Sequence, residues 1–266
     1  MKATFANAVV TGACGGLGRA LAQVLIAQGS AVALAGLDRE VLESLRAQAP
    51  ERCRVYTPDV SDSAGMQAMA ADWMAAHGAP DLVIANAGVA GGYATAEAAD
   101  LAMFRRLLEI NLIGVATTFQ PFMKSLKPGA ALVGVASIAG WRGMPGNGAY
   151  CASKAGLIAY LQSLRTEMRE QGVQVSTVCP GYLRTALTAG NNFLMPGLME
   201  PEAAAELMLR RVASGDEWIV LPRRTGWLSR LLSLLPEKTY DRILLSQPRK
   251  PRAGEAGSTP IPGLHE

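Results

Sequence analysis

A short apolar run, Ala8-Val-Val-Thr11, passes at once into Gly12-Ala-Cys-Gly-Gly-Leu-Gly18. Leu17, Leu21, Val24 and Leu25 then recur at helical spacing, and Gly29 stops them. The pattern predicts a buried strand, a tight turn and a helix. Glycine is needed where the backbone takes positive φ or must approach a ligand closely. The helix N-terminus opened by such a turn presents free N–H groups and a positive dipole end, a seat for phosphate. No Lys follows Gly18, so the turn is not a P-loop. A glycine-rich loop used only for tight packing is the plainer alternative.

Strand and helix patterns alternate beyond that turn. Strands are expected at 31–35, 54–56, 81–85, 130–136, 173–178 and 217–221. Helices are expected at 39–49, 63–77, 100–125 and about 150–171. Short connections between alternating elements imply a parallel sheet wound on both faces. The expected fold is α/β, a single doubly wound Rossmann-type domain with a central parallel sheet of about seven strands.

A second stretch carries reactive groups. Ser137 closes the apolar run Ala130 to Ala136, and a Gly/Pro-rich loop from Gly140 to Gly148 leads to Tyr150 and Lys154. Tyr150 and Lys154 are four apart, one turn apart on one helix face. Folding of the loop would bring Ser137 towards them. Taken alone, the trio reads equally well as a strand-capping Ser, an anchoring Tyr and a solvated Lys.

Six elements together decide between these readings. Thr11-Gly12-x-x-x-Gly16-Leu17-Gly18 resembles the TGxxxGxG turn of the short-chain dehydrogenase/reductase family. Ser137, Tyr150 and Lys154 match its Ser and Tyr-x-x-x-Lys. Asn86-Ala-Gly88 is similar to its NAG element, Asn111 to its central-helix Asn, and Pro180-Gly181 with Thr185 to its turn after strand six. The resemblance spans Thr11 to Thr185.

That resemblance implies roles. Tyr150 is expected to protonate a carbonyl during reduction or accept the alcohol proton in reverse. Free tyrosine has a pKa near 10, so roughly one in a thousand is ionised at pH 7. Lys154 and a positive nicotinamide would favour phenolate. Lys154 would also reach the ribose hydroxyls, Ser137 would orient the carbonyl, and Asn111 would hold a water linking Lys154 to solvent. Cofactor contacts are expected from Gly12, Gly16, Leu17, Gly18, Asn86, Gly88, Tyr150, Lys154, Pro180 and Gly181. Asp59 and Val60 are expected at the adenine, and Thr185 at the carboxamide or pyrophosphate. Asn111 as a backbone-satisfied helix amide, and Asp59 as a turn residue, are the bland alternatives.

The acidic position that selects NAD falls on Gly36, and the neighbouring Arg position of NADP enzymes on Leu37. Asp38 and Arg39 follow and argue opposite ways. A small Gly36 spares a 2′-phosphate from repulsion and Arg39 could reach it, so NADP is preferred over NAD.

The segment 183–200, which contains Phe193, Leu194, Met195, Leu198 and Met199, is expected to form an apolar lid over the substrate. Trp141 and Met144 would line the other side. A hydrophobic ketone or secondary alcohol is the expected substrate, with Arg142 and Arg184 the cations to watch; the plainer alternative is that these side chains are simply core. Residues 1–222 would form the dinucleotide-binding and catalytic domain, 223–246 an amphipathic helical extension, and 247–266 a flexible tail. From Arg223 to Arg252 there are eight basic and two acidic residues. Docking of 223–246 over the substrate mouth or a subunit interface is favoured over peripheral membrane contact.

Composition bounds the rest. Half of the 266 residues are apolar, enough for a large core, and a net charge of +3 gives no argument for nucleic acid. Four cysteines without CxxC spacing or His neighbours suggest neither metal nor disulfide. No signal-like segment opens the chain, so a cytoplasmic protein is expected. Family habit implies a homodimer or homotetramer. A non-catalytic NAD(P)-binding regulatory or scaffold protein is the competing function, disfavoured because it has no chemical need for Ser137, Tyr150, Lys154 and Asn111 together. An epimerase or dehydratase would need a larger substrate region.

Overall fold

The computed structural model describes residues 5–191, 193–245, 249–252, 255, 261 and 262. β1 (Asn7–Thr11) leads through the glycine turn to α1 (Gly16–Ala27), then β2 (Ala31–Ala35), α2 (Arg39–Arg46) and β3 (Cys53–Tyr56). α3 (Ser63–His77), β4 (Leu82–Ala85) and α4 (Asp100–Leu108) follow, then a π-helical turn (Glu109–Ile113) and α5 (Gly114–Met123). β5 (Ala131–Val135), α6 (Gly148–Arg169) and β6 (Gln174–Pro180) complete the central part. After β6 come α7 (Ala186–Ala189), α8 (Pro201–Ala213), β7 (Trp218–Leu221), α9 (Arg223–Ser233) and α10 (Glu237–Leu244).

The seven strands lie in the order β3-β2-β1-β4-β5-β6-β7, with every pair parallel. Successive side chains of β1 serve opposite faces: Ala8 and Val10 pack with α1 and α8, Val9 with α3, α5 and α6. Burial on both faces is why these strands read as unbroken apolar runs. Chain order reverses between β1 and β4, which opens a crevice at their C-terminal ends.

Two features depart from expectation. The helix expected over 100–125 is interrupted by the π-helical turn at Glu109–Ile113, an inserted residue that apolar spacing does not reveal. The helix Pro201–Ala213, starting with Pro at its first position, lies between the lid and β7 and packs on α1. Among the described residues, no helix is long and apolar enough to cross a membrane. The tail expected from 247 onward lies largely outside the described residues. Its described part rests on the body, with Gly92 paired to Arg252 and the Ile261 side chain buried.

Candidate active site

The crevice is laced shut at its base. Thr11 Oγ1, at the end of β1, accepts from Asn86 N at 3.1 Å and Ala87 N at 3.3 Å. Asn86 Nδ2 donates back to Thr11 O at 3.1 Å and Gly12 O at 3.4 Å. Asn86 therefore pins the glycine turn as well as lining the cavity above it. Gly12 and Gly16 have φ of +67° and +51°, conformations that favour glycine. At Gly18 a Cβ would overlap the Gly12 oxygen and the Asn86 amide. α1 thus starts beside the cavity with no side-chain cap and no acid in its first turn. Thr185 lies over the turn, and a Cβ at Gly16 would come within 2.9 Å of its methyl group.

A cavity of about 730 Å³ runs from this turn to the reactive trio. Gly12, Gly16, Leu17, Asn86, Gly88, Pro180, Gly181 and Thr185 line it, together with Ser137, Tyr150 and Lys154. The bare glycine cradle, the uncapped α1 terminus and a buried lysine suit a dinucleotide: a concave backbone and positive ends for phosphates.

Ser137 follows β5, and its Oγ accepts from Ala139 N at 3.1 Å. Burial pushes the Tyr150 phenol up to about 12, although the Ser137 hydroxyl beside it favours phenolate. Burial pushes Lys154 down to about 8, and its Nζ donates to Val135 O at 2.8 Å while sitting 5.9 Å from the Tyr150 ring centre. Desolvation thus opposes the charged form of each group: the phenol keeps its proton, and the ammonium is held less firmly than in water. Cys179 stands close by, its thiol also pushed up to about 12 by burial against the pull of Trp141 and Lys154.

Asn111 sits in the π-helical turn and is fully buried. Its Oδ1 accepts from Val89 N at 2.8 Å, and its Nδ2 donates to Val89 O at 2.9 Å and Ser153 Oγ at 3.1 Å. It clamps the loop after β4 onto α6. A Cβ at Gly88 would lie 3.1 Å from Asn111 Oδ1 and 3.6 Å from Lys154 Nζ, so the loop after β4 passes close to both side chains.

Arg39, Asp59 and Val60 are not brought to this cavity. Arg39 is exposed and pairs with Glu43 at 3.4 Å. Asp59 accepts from Ser61 and pairs with Arg106; burial would raise its carboxyl, but these hydrogen bonds hold it below its ordinary value. Val60 is buried against Gly114. The lid residues divide: Phe193 and Leu194 line the cavity, Met195 and Leu198 line a separate hollow beside Arg19 and Arg184, and Met199 packs on the core. Trp141 and Met144 line the cavity from the other side. Arg184 pairs with Glu200 at 2.6 Å.

Several lining residues come from beyond β7. Leu228, Leu232, Tyr240 and Ile243 of α9 and α10 roof the cavity. Arg142 holds that roof: its Nη1 donates to Ser233 O at 3.1 Å and to Leu235 O, and its guanidinium lies 4.0 Å over the Tyr240 ring. Lys250 also reaches the cavity, donating to Leu187 O at 3.0 Å. Nothing in the local sequence of either residue signals these contacts.

A Rossmann-type sheet, a glycine cradle and a Ser–Tyr–Lys trio in one cavity define a nicotinamide-dependent oxidoreductase architecture. The model of the short chain dehydrogenase family matches residues 6–193, and the chain belongs to that family. It is an NAD(P)-dependent dehydrogenase. An uncharacterized oxidoreductase of Myxococcus xanthus (strain DK1622) is 38% identical over 244 residues, covering 90% of this chain and 96% of that protein. The cis-4-hydroxycyclohexanecarboxylate dehydrogenase of Sinomonas cyclohexanicum is 34% identical over 216 residues, covering 79% and 84%. A short-chain dehydrogenase/reductase structure from Brucella melitensis superposes with a TM-score of 0.76 at 28% identity, covering 83% and 96%. Some relatives are longer, and the match spans 33% or 41% of them.

Proposed function

We propose that the protein interconverts a ketone or aldehyde and an alcohol on an apolar small molecule, with Tyr150 as general acid and base. One observation carries this: Ser137, Tyr150 and Lys154 line the same cavity as Gly12, Gly15, Gly16 and Leu17 of the glycine turn. The bound dinucleotide supplies or accepts the hydride. The chain's own residues handle the proton. The Ser137 hydroxyl donates to the substrate oxygen and orients it, and the Tyr150 phenol passes its proton to that oxygen as the carbonyl is reduced. Lys154 Nζ, held on Val135 O near the Tyr150 ring, would reach the ribose hydroxyls. Asn111, which like Lys154 lies close to Gly88, would hold a water that links Lys154 to solvent. Thr185 and the N–H groups of α1 would hold the pyrophosphate.

NADP is the preferred cofactor. The Asp38 carboxylate accepts from Val41 N at 3.1 Å as the cap of α2, and so is spent within the chain. At Gly36 any side chain would meet Cys14 Sγ, which leaves no place for an acid on a ribose hydroxyl. Arg39, exposed at the start of α2 outside the cavity, would have to leave Glu43 to meet a 2′-phosphate. Apolar walls from Trp141, Met144, Phe193, Leu228 and Leu232 support a hydrophobic substrate. The protein acts in the cytoplasm as a homodimer or homotetramer through α4, α5 and α6, where exposed Leu101 and Ile113 support an interface. Residues 1–222 are the catalytic domain and 223–246 its roof.

The test is titration with NADPH and NADH, then turnover on a panel of hydrophobic ketones by wild type and Tyr150→Phe. Tighter NADPH binding is expected, with a loss of about a thousandfold or more in kcat for the variant at unchanged cofactor affinity. Full turnover by the variant would sink the assignment of Tyr150.

A further inference from the structure

Three cations and, among the described residues, no carboxylate line the cavity. Two of the cations are already engaged. Lys154 belongs to the reaction centre, and Arg142 is spent on Ser233 O, Leu235 O and the Tyr240 ring. Lys250 differs. Its ammonium carries three donors, and its one hydrogen bond among the described residues goes to Leu187 O.

Lys250 is also fixed in place from the chain around it. Gly92 N donates to Pro251 O at 3.0 Å, and Gly92 pairs with Arg252. Arg252 grips Asp100 with two bonds, Nε to Oδ2 and Nη2 to Oδ1, each 3.0 Å. At Gly92 a Cβ would overlap the carbonyl oxygens of Lys250 and Pro251, so only glycine admits this approach. The strap therefore ends in a paired planar fork, and the lysine just before it is delivered to the cavity.

We infer that Lys250 recognises a carboxylate on the substrate, so that the preferred substrate is an oxo or hydroxy acid with an apolar body. This rests on the oxidoreductase reading above and names its substrate class. The physical reason is compensation. A lysine among apolar walls loses hydration that one carbonyl oxygen only partly replaces. Burial accordingly pushes Lys250 down to about 8, and an arriving anion would favour its charged form. The apolar lining recognises the body of such a substrate, and Ser137 and Tyr150 take its oxygen at the far end.

The experiment is calorimetric titration of the full chain, loaded with whichever of NADP+ and NAD+ binds more tightly. The probes are cyclohexanecarboxylate, octanoate and decanoate, each against its methyl ester, so that no turnover is required. At least one acid should bind about tenfold or more tightly than its ester. Lys250→Met should bring that pair within about twofold, and Lys250→Arg should keep the preference. Three results overturn the inference: no acid preference in the wild type, a preference that survives Lys250→Met, or a loss in dinucleotide affinity instead, which would assign the ammonium to the cofactor's phosphates. Failure of the oxidoreductase reading is a separate outcome, seen as absent turnover while acid binding persists.

Discussion

Gly15 and Gly18 are three residues apart in the same turn, yet they answer to different constraints. Gly15 has φ of −163°, extended backbone open to any residue, and a Cβ there meets nothing within 4 Å. At Gly18 a Cβ would run into backbone of Gly12, which has no room to retreat. Gly15→Ala should change stability by less than about 0.5 kcal/mol. Gly18→Ala should cost about 3 kcal/mol or more and abolish dinucleotide binding. Thermal denaturation and cofactor titration of the pair decide, and an undisturbed Gly18→Ala would show that the turn yields. Tyr150 carries a second prediction at this scale. Its phenol, pushed up to about 12 by burial, holds its proton at neutral pH, which suits the proposed donation to a carbonyl oxygen. Alcohol oxidation needs that proton gone, so its rate should climb severalfold per unit between about pH 7 and 9, approaching tenfold, while reduction changes little. Steady-state profiles in both directions measure this; a flat oxidation limb would mean that another group takes the proton.

Among the elements, the roof formed by α9 and α10 is tied to the loop after β5 by Arg142. Loss of its two carbonyl bonds and its stacking on Tyr240 should loosen the roof without touching the proton path. Arg142→Ala is expected to raise KM for an apolar ketone by about tenfold with kcat within about twofold, and Arg142→Lys should not rescue it, because a point charge cannot replace the planar fork. A fall in kcat at unchanged KM would contradict this. Here too lies the boundary of what the sequence makes legible. The sheet is readable because strands buried on both faces leave unbroken apolar runs, and the glycine turn because its spacing is constrained by sterics. The π-helical turn is not, since Asn111 and Val89 meet only once the chain has folded. The contacts of Arg142, Arg106 and Lys250 escape for a similar reason. Each is a cation in a loop, helix or tail with a partner 91, 47 or 63 residues away.

For the molecule as a whole, the reaction centre is a site where function opposes stability. Lys154 is 4% exposed, and burial takes it from the ordinary 10.5 to about 8. A depressed lysine penalises the folded state fully below pH 8, and that penalty fades as pH rises to 10.5, above which the group is neutral in both states. At neutral pH the ligand-free fold therefore carries a penalty of about 3 kcal/mol for holding this ammonium. Methionine fills similar space without the charge, though it leaves Val135 O without the Lys154 donor, a loss of about 1 kcal/mol. Lys154→Met should thus be more stable than the wild type at pH 7 by about 2 kcal/mol, or about 5 °C in Tm, while losing activity. The advantage should shrink between pH 8 and 10.5, where the native lysine sheds its proton in the fold but keeps it when unfolded. Calorimetry of the cofactor-free proteins at pH 7 and pH 10 tests this. A variant that melts lower at pH 7, or whose advantage grows with pH, would show that the buried ammonium is compensated within the fold itself.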